Sequence, residues 1–592
     1  MSTAFRAIEI PAGVVSKATK KMNSSNYAEV NLVRWREGQL SPMGGQSQFA
    51  YTFASRCKKI HGWYGLDQVF HIAYLCETNL YVDTGGALTD ITPAGGLAPL
   101  PMPAAGGYGD GLYNQGLQLK TTAAFTTASP NITMVANTGA QPGMDVFNVT
   151  KGLHVGTVLT YVGTALVLTA NASSAGSSGD VLNFGAYNQP RAISISQALD
   201  RVPNAFSLDN FGAILYAMTS PDGRLLKWDP AVGGAAIVQP PDSGRGPVPT
   251  GRCFVVTPER FILVFGAYDA TNGGGFRRFA WCDQENPGAW DYASVTSQAG
   301  YLDIEPASPI ICAMSTRSGT LFWTGKKCYI SRFLGSPYIY NYTELADSTT
   351  PWSSQSMVNT SSMAVWMGEQ GPFSFDGTSV LPVQCMVRSW VDDDIDILYV
   401  REMACLVHVE NYNEVWWFFP QGGKTGNTRA IIYNYKEGWW GQARMARSAG
   451  VSAAYNVHTI MANGTLAYKH EDGVSYSNDA TLPFAETFGL NIVSGSRLVT
   501  IKQLLPDIEG AASSIQYRLF YRNSRVDLTD PVTGFPVNPE QVTSPSLVRP
   551  NGFVDFRTTG RDVRLRMEVI GPSVLPFTLG AHLIDIVARG DR

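Results

Sequence analysis

Four consecutive aromatic residues, Trp416, Trp417, Phe418 and Phe419, lie in the stretch Asn413 to Trp440 around which the chain is organised. Side chains alternate between the two faces of a strand, so these rings would be presented on both sides at once. Only a strand covered on both faces hides that much ring surface, which predicts a place deep inside a β architecture. After a Gly-rich turn, Ile431 to Tyr435 form the answering strand, and Lys436, Glu437 and Gly438 turn the chain into Trp439 and Trp440. Trp416, Trp417, Phe418, Tyr433, Tyr435, Trp439 and Trp440 are therefore expected as structural core.

Shorter alternations recur on both sides of this unit. Leu32, Val33 and Trp35 alternate with Asn31, Arg34 and Arg36 before a turn at Glu37-Gly38. Between Lys59 and Val82, IHGWYGL, VFHIAYL and NLYVD read as successive strands of a meander, and residues 92–111, rich in Pro, Gly and Ala, read as a linker. Residues 1–111 thus hold N-terminal platform strands and the first strands of the main body. Residues 112–187 change character: Thr, Ala, Ser, Asn and Gly dominate, Trp is absent, and short segments such as NITMVAN and ALVLTANAS alternate between turns. A small inserted β domain accounts for this, because the aromatic pattern resumes after Pro190.

From 188 to 482 short strands come in sets punctuated by Asp222-Gly223, Ser318-Gly319, Asp376-Gly377, Asn463-Gly464 and Asp472-Gly473. Asp-Gly and Asn-Gly pairs predict type I′ hairpin turns with both central residues at positive φ. Recurrent antiparallel sets with aromatic cores predict a β-propeller-like body. Helical periodicity is scarce, with one candidate at Ser194 to Leu199. Residues 483–592 alternate as a sandwich does, forming a C-terminal β-sandwich or platform domain. The fold class expected is all-β: a propeller-like body, a terminal sandwich or platform, and a small inserted β domain.

Composition narrows the function classes. The 592 residues carry 44% hydrophobic and only 16% charged positions, against about 25% charged in an average protein. Part of the surface is therefore expected to be uncharged or covered by subunit contacts. A formal charge of −4 and the lack of a Lys/Arg stripe argue against a dedicated nucleic-acid binder. The eight cysteines are widely spaced, without a C-x-x-C pair, which points to reduced buried thiols. The opening MSTAFRAIEIPAG lacks the apolar core of a signal peptide, and no apolar run approaches the roughly 20 residues of a membrane-spanning helix.

The chemical motifs are weak. Gly422, Gly423, Lys424 and Thr425 end like a phosphate loop, but Phe418 stands where the first glycine is needed and the context is strand-to-strand. Asp392, Asp393, Asp394 and Asp396 resemble half of a calcium loop, yet Ile397 occupies the position of its glycine and no closing Glu follows. A solvated acidic turn is the plain reading of this run; the sharper one is a channel-facing cluster that repels DNA. The seven histidines form no i, i+4 pair and no triad order. No catalytic, cofactor-binding or metal-binding residues emerge, so the chain is expected not to be an enzyme and to need no cofactor. Arg561, Arg564 and Arg566 form a candidate docking rim, with solvated strand faces as the plainer reading.

An ordered set of segments resembles the nozzle proteins of short-tailed phages (tail hub, tail tubular protein B-like or packaged-DNA stabilisation proteins). The pieces are RRFAWCDQENPGAWDY at 277–292, AGYLDI at 299–304, SGTLFWTGKKCYI at 318–330, the run 364–396, NEVWWFFP at 413–420 and IIYNYKEGWWGQARMARSAG at 431–450. NLVRWREGQLSPMGGQ and LGAHLIDIVARGDR resemble the two ends of that family. The resemblance implies a virion protein assembled in the host cytoplasm. It would form a homo-hexameric ring below the tail adaptor (the head-to-tail connector), carry fibres or spikes, and touch genome DNA transiently and non-specifically. Retention of the packaged genome and gated release are the implied role. The alternative is a receptor-binding or polysaccharide-depolymerising tail protein with a propeller fold. Ser220, Asp222 and Trp228 resemble the aspartate box of sialidase propellers, with too long a spacing to the aromatic.

Overall fold

The structure, a computed structural model, describes all residues other than 1–3, 17–22, 67, 98–116, 138–139, 141–143, 149, 152, 185–202, 306–307, 398, 453–457, 477–480, 491, 493–496, 524–538, 572, 574 and 589–592. The candidate helix at Ser194 to Leu199 lies outside the described residues, as do Arg589 and Arg592. The chain divides into two compact units, one of residues 1–99 with 203–592 and one of residues 100–202.

The chain is all-β, and the larger unit is built around a propeller. Among the described residues it holds seven four-stranded antiparallel sheets, here called blades. Blade 1 begins with the inner strand Cys57–Tyr64, blade 2 with Phe206–Phe211, blade 3 with Cys253–Val256 and blade 4 with Ile310–Thr316. Blades 5, 6 and 7 begin with Met357–Asn359, Cys405–Val409 and Ala449–Val451. Each inner strand adjoins the next, and Ala449–Val451 adjoins Cys57–Tyr64, so the ring closes. The closure is not sequential. Blade 7 takes its outer strand from Gln46–Thr52, which pairs antiparallel with Leu466–His470.

The four-aromatic stretch is the second strand of blade 6, Glu414–Pro420, and all seven of its residues are buried. It pairs with Cys405–Val409 on one side and Asn427–Asn434 on the other. Trp417 packs beside Val365, Trp366 and Met367 of blade 5, whereas Trp416 meets His470 of blade 7 edge-on at 6.2 Å. Neighbouring blades thus cover both faces, which is why a run of rings with no polar alternation is stable here. Trp439 and Trp440 are buried with Phe418, while Tyr433 and Tyr435 are half-buried.

Two further sheets form a platform. One joins Val33–Arg36, Gln39–Pro42, Phe577–Ala588, Val499–Gly510 and Val554–Gly560, with Ala4–Ile8 paired to Phe577–Ala588. The other joins Tyr27–Asn31, Phe484–Thr487, Asp562–Val569 and Ile515–Arg522, with Gln541–Val542 and Ser546–Leu547 at its edge. The two sheets meet where Tyr517 faces His582, 5.9 Å between rings. The platform is fastened to blade 6. Arg34 donates Nε to Glu414 at 2.9 Å and Nη2 to Glu471 at 2.6 Å, and its guanidinium lies 3.5 Å over the Tyr412 ring. Trp35 packs on Trp439 at 5.2 Å, and the Val30 N–H donates to the Gln442 side chain at 3.2 Å.

The hairpin turns differ from expectation. Asp222, Asp376, Asn463 and Asp472 keep negative φ, and only the glycine that follows each is positive, so these are not type I′ turns. Hairpin turns with both residues positive occur at Glu37-Gly38, at 50° and 82°, inside the platform, and at Gly85-Gly86, at 63° and 93°, in blade 1.

The smaller unit is a six-stranded sheet. Ile132, Val146, Val155, Val158, Leu166, Leu182 and Phe184 form its core, and a bridge between Thr121 and Met134 links the two ends of the sheet.

Candidate functional site

Innermost propeller strands leave one edge of backbone N–H and C=O groups without a strand partner, and each such group needs another. Here side chains of adjacent blades supply them. The Phe254 N–H donates to Ser207 Oγ at 3.4 Å and the Val256 N–H to Asp209 Oδ2 at 3.0 Å. Gln355 Nε2 donates to the Phe206 carbonyl at 2.9 Å, and the Leu406 N–H reaches the Gln355 carbonyl at 2.8 Å. These bonds tie blade to blade around a cavity of about 330 Å³ on the propeller axis.

Lys59, His61, Asp209 and His408 are the lysine, histidine and carboxylate residues in its wall. His61 Nε2 shares a hydrogen bond with Asn210 Oδ1 at 2.9 Å, and His408 Nε2 shares one with the Tyr435 hydroxyl at 3.1 Å. Lys59, His61 and Asp209 touch the cavity yet are ringed by protein, so loss of bulk water governs their protonation. Burial lowers the Lys59 amine below its ordinary value, against the pull of Asp209 and Cys405. Burial likewise lowers His61, opposed by Asp209. It raises the Asp209 carboxyl, opposed by His61 and by the N–H groups of Val256 and Asn210. Loss of water thus weighs against the charged form of each of the three groups, and their mutual charges oppose it.

Sequence reasoning singled out none of these residues. Each is a single position on an inner strand, and the topology brings them together. CKKIHGWY is nonetheless unusual, since lysines and a histidine interrupt a strand whose apolar positions are buried; that interruption is the available signal.

The residues that the sequence did single out lie elsewhere. Asp392 and Asp394 sit in the link between blades 5 and 6, paired with Arg388 at 2.7 Å and Arg429 at 2.9 Å. Asp396 is buried and accepts the Gly423 N–H at 2.9 Å and the Tyr399 N–H at 3.2 Å, while Asp393 is exposed. None of the four lines the axial cavity. Among the described residues, no three His, Cys, Asp or Glu side chains converge as a metal site. Gly422 to Thr425 form the tip between strands Glu414–Pro420 and Asn427–Asn434. Arg564 pairs with Glu486 and Glu540, and Arg566 pairs with Glu568 at 2.6 Å and Glu486 at 3.1 Å. Arg561 is half-buried. The rim at Arg564 and Arg566 is therefore neutralised by glutamates of its own sheet. All eight cysteines are unbridged, and all but Cys385 are fully buried. No helix among the described residues is long and apolar enough to cross a membrane.

No family model and no curated protein matches the sequence. Among solved structures the chain is similar to an exo-β-1,3-galactanase from Phanerochaete chrysosporium. With β-1,3-galactotriose bound, that enzyme matches at 9% identity over 64% of this chain and 95% of the other, TM-score 0.23. With galactose bound it matches at 9% identity, TM-score 0.22. The expectation that the chain is not an enzyme is corrected here: the structures it matches belong to an enzyme, and a polar axial cavity stands where sequence reasoning saw only scaffold. At these scores the likeness transfers no substrate and no residue role.

Proposed function

We propose that the chain is a nozzle subunit of a short phage tail, one copy in a ring around the channel through which genome DNA leaves. The ordered sequence resemblance supports this reading, and the platform carries it. Both ends of the chain are woven into one double sheet, and a buried ion pair locks that sheet to the propeller. Such a body transmits force between neighbours rather than flexing at a linker. Its edge strands also present Val542 and Leu547, each about half exposed, as apolar positions for a neighbouring copy. The proposed partners are further copies in a homo-hexamer, the tail adaptor ring, and fibres or spikes.

The test is co-expression with the adaptor and electron microscopy of the product. Rings below the adaptor are expected, and lysines at Val542 and Leu547 should release subunits that remain folded. A chain that stays monomeric beside assembled adaptor overturns the proposal.

A second reading, a receptor-binding or polysaccharide-depolymerising propeller, draws on the axial cavity. Asp209 is the one carboxylate among its described lining residues. Hydrolysis by a pair of carboxylates would need a second acid from the cavity mouth. Release of reducing ends from a polysaccharide panel, abolished by Asp209→Asn, would establish that reading independently of ring formation.

A further inference from the structure

Two adjacent lysines on the inner strand of blade 1 behave differently. Lys58 is consumed by structure: Nζ donates to the Glu402 carbonyl at 3.0 Å and pairs with Glu77 at 3.4 Å. Lys59 faces the axial cavity, and no hydrogen bond or ion pair engages its amine among the described residues. Its electrostatic neighbours are Asp209 on blade 2 and Cys405 on blade 6, on different sides of the ring. The amine is thus directed towards the axis. Leu208, Val255, Met314 and Leu406 stand beside Ser207, Ser315 and Asn359 in the wall, so the space offers apolar and polar contacts together. At about 330 Å³ the space falls in the range of small-ligand pockets, roughly 300–1,000 Å³.

We propose that this cavity is a carbonyl-binding site in which Lys59 Nζ forms an imine with a small aldehyde or ketone. A lysine used structurally is tied down; one left unbonded at a cavity wall is available as a nucleophile. The neutral amine attacks the carbonyl carbon, a C–N bond forms as the C=O π pair moves onto oxygen, and the nitrogen passes one of its protons to that oxygen to give a carbinolamine. The Asp209 carboxyl then protonates that hydroxyl, which leaves as water, and the remaining N–H proton returns to Asp209. The balance is carbonyl plus amine giving imine plus water, with no change of oxidation state. Asp209 is suited to the exchange because backbone N–H groups of Val256 and Asn210 fix its position. His61, held by Asn210, faces the same space. The inference is independent of the nozzle reading.

The test uses the full-length protein with salicylaldehyde near neutral pH, cyanoborohydride trapping, and peptide mapping by mass spectrometry. Lys59 should be the site labelled first and most fully, ahead of the exposed Lys326, Lys424 and Lys436, since burial favours the free base of its amine. Lys59→Arg should remove that adduct and leave the others. Asp209→Asn should slow labelling at Lys59 about tenfold or more at an unchanged melting temperature, the loss typical of a proton-transfer group. Adducts spread over exposed lysines with Lys59 unmodified overturn the proposal, and the wild-type map decides this without any variant. Wild-type labelling rates in folded Asp209→Asn overturn the role given to Asp209.

Discussion

Replacing Glu414 with Gln tests how the platform is held. Glu414 is fully buried and Arg34 nearly so, with bonds of 2.9 Å and 3.2 Å between them. Charge centres about 4 Å apart attract by about 4 kcal/mol at an effective dielectric of about 20. Removing one partner of a buried pair costs about 3–5 kcal/mol, because the remaining charge stays desolvated. Arg34 keeps Glu471 at 2.6 Å, and that carboxylate is partly exposed, so the lower end, about 3 kcal/mol, is expected. Burial works against both charges. It raises the Glu414 carboxyl above its ordinary value, opposed by Arg34, whereas at Arg34 the two carboxylates outweigh burial and hold it above its ordinary value. The two-bond geometry favours the ionised pair. Glu414 also accepts the Trp416 indole N–H at 2.9 Å, a bond that Gln can keep, so the substitution isolates the charge. Hydrogen exchange should show faster opening of Val30 and the Val33–Pro42 hairpin, and urea unfolding should show an earlier transition. The double change Arg34→Met with Glu414→Leu should recover most of the loss, to within about 1 kcal/mol of wild type. A loss below about 1 kcal/mol for the single change, or a double variant no better than the single, refutes the buried-pair account.

Other expectations follow from the same packing arguments. Trp417→Ala should cost about 3–5 kcal/mol in equilibrium unfolding, since blades 5 and 6 close over the ring; a loss under about 1 kcal/mol would show a peripheral strand. Burial lowers His582 from 6.5 to about 4, so the folded platform holds it neutral. Stability from this group is complete above pH 6.5 and falls as pH drops towards 4, by about 3 kcal/mol in all. Acid unfolding of the platform should lose that slope in His582→Leu. Gly45→Ala would set a Cβ 2.6 Å from the Ser475 backbone where the chain enters blade 7, and should destabilise by about 1–3 kcal/mol in thermal melts. Asp396→Asn should cost about 1–2 kcal/mol through weaker acceptance of two N–H groups, whereas exposed Asp393→Asn should change stability by under about 0.5 kcal/mol.

Much of the fold was legible because burial on both faces leaves a one-dimensional trace. Trp416 to Phe419 could be read as a covered strand from their order alone, and the Gly-centred turns marked the hairpins. Non-local pairing leaves no such trace: nothing in Gln46–Thr52 announces a partner at Leu466–His470. Turn type was misjudged at Asn463-Gly464 and its relatives because a dipeptide does not fix where in the loop it falls: Asn463 still pairs with Leu466, so the two-residue link is Gly464-Thr465. The candidate site was illegible for a related reason. Lys59, His61 and Asp209 lie on two blades separated by a whole inserted unit, so no motif spacing can join them. Isolated charge within CKKIHGWY was the clue, visible only once the strand was known to be an inner one. The acidic run drew attention by its density, yet two of its members are ion-paired and Asp396 caps backbone.

Closing the last blade with an early strand also imposes an order on synthesis. Gln46–Thr52 emerges from the ribosome first and finds Leu466–His470 only after the six other blades have been made. Until then that strand waits with an open hydrogen-bonding edge, competing for wrong neighbours while the nascent ring has a gap. Slowing translation before His470, or a chaperone that shields the waiting segment, should therefore govern yield more strongly than any change within the finished wheel.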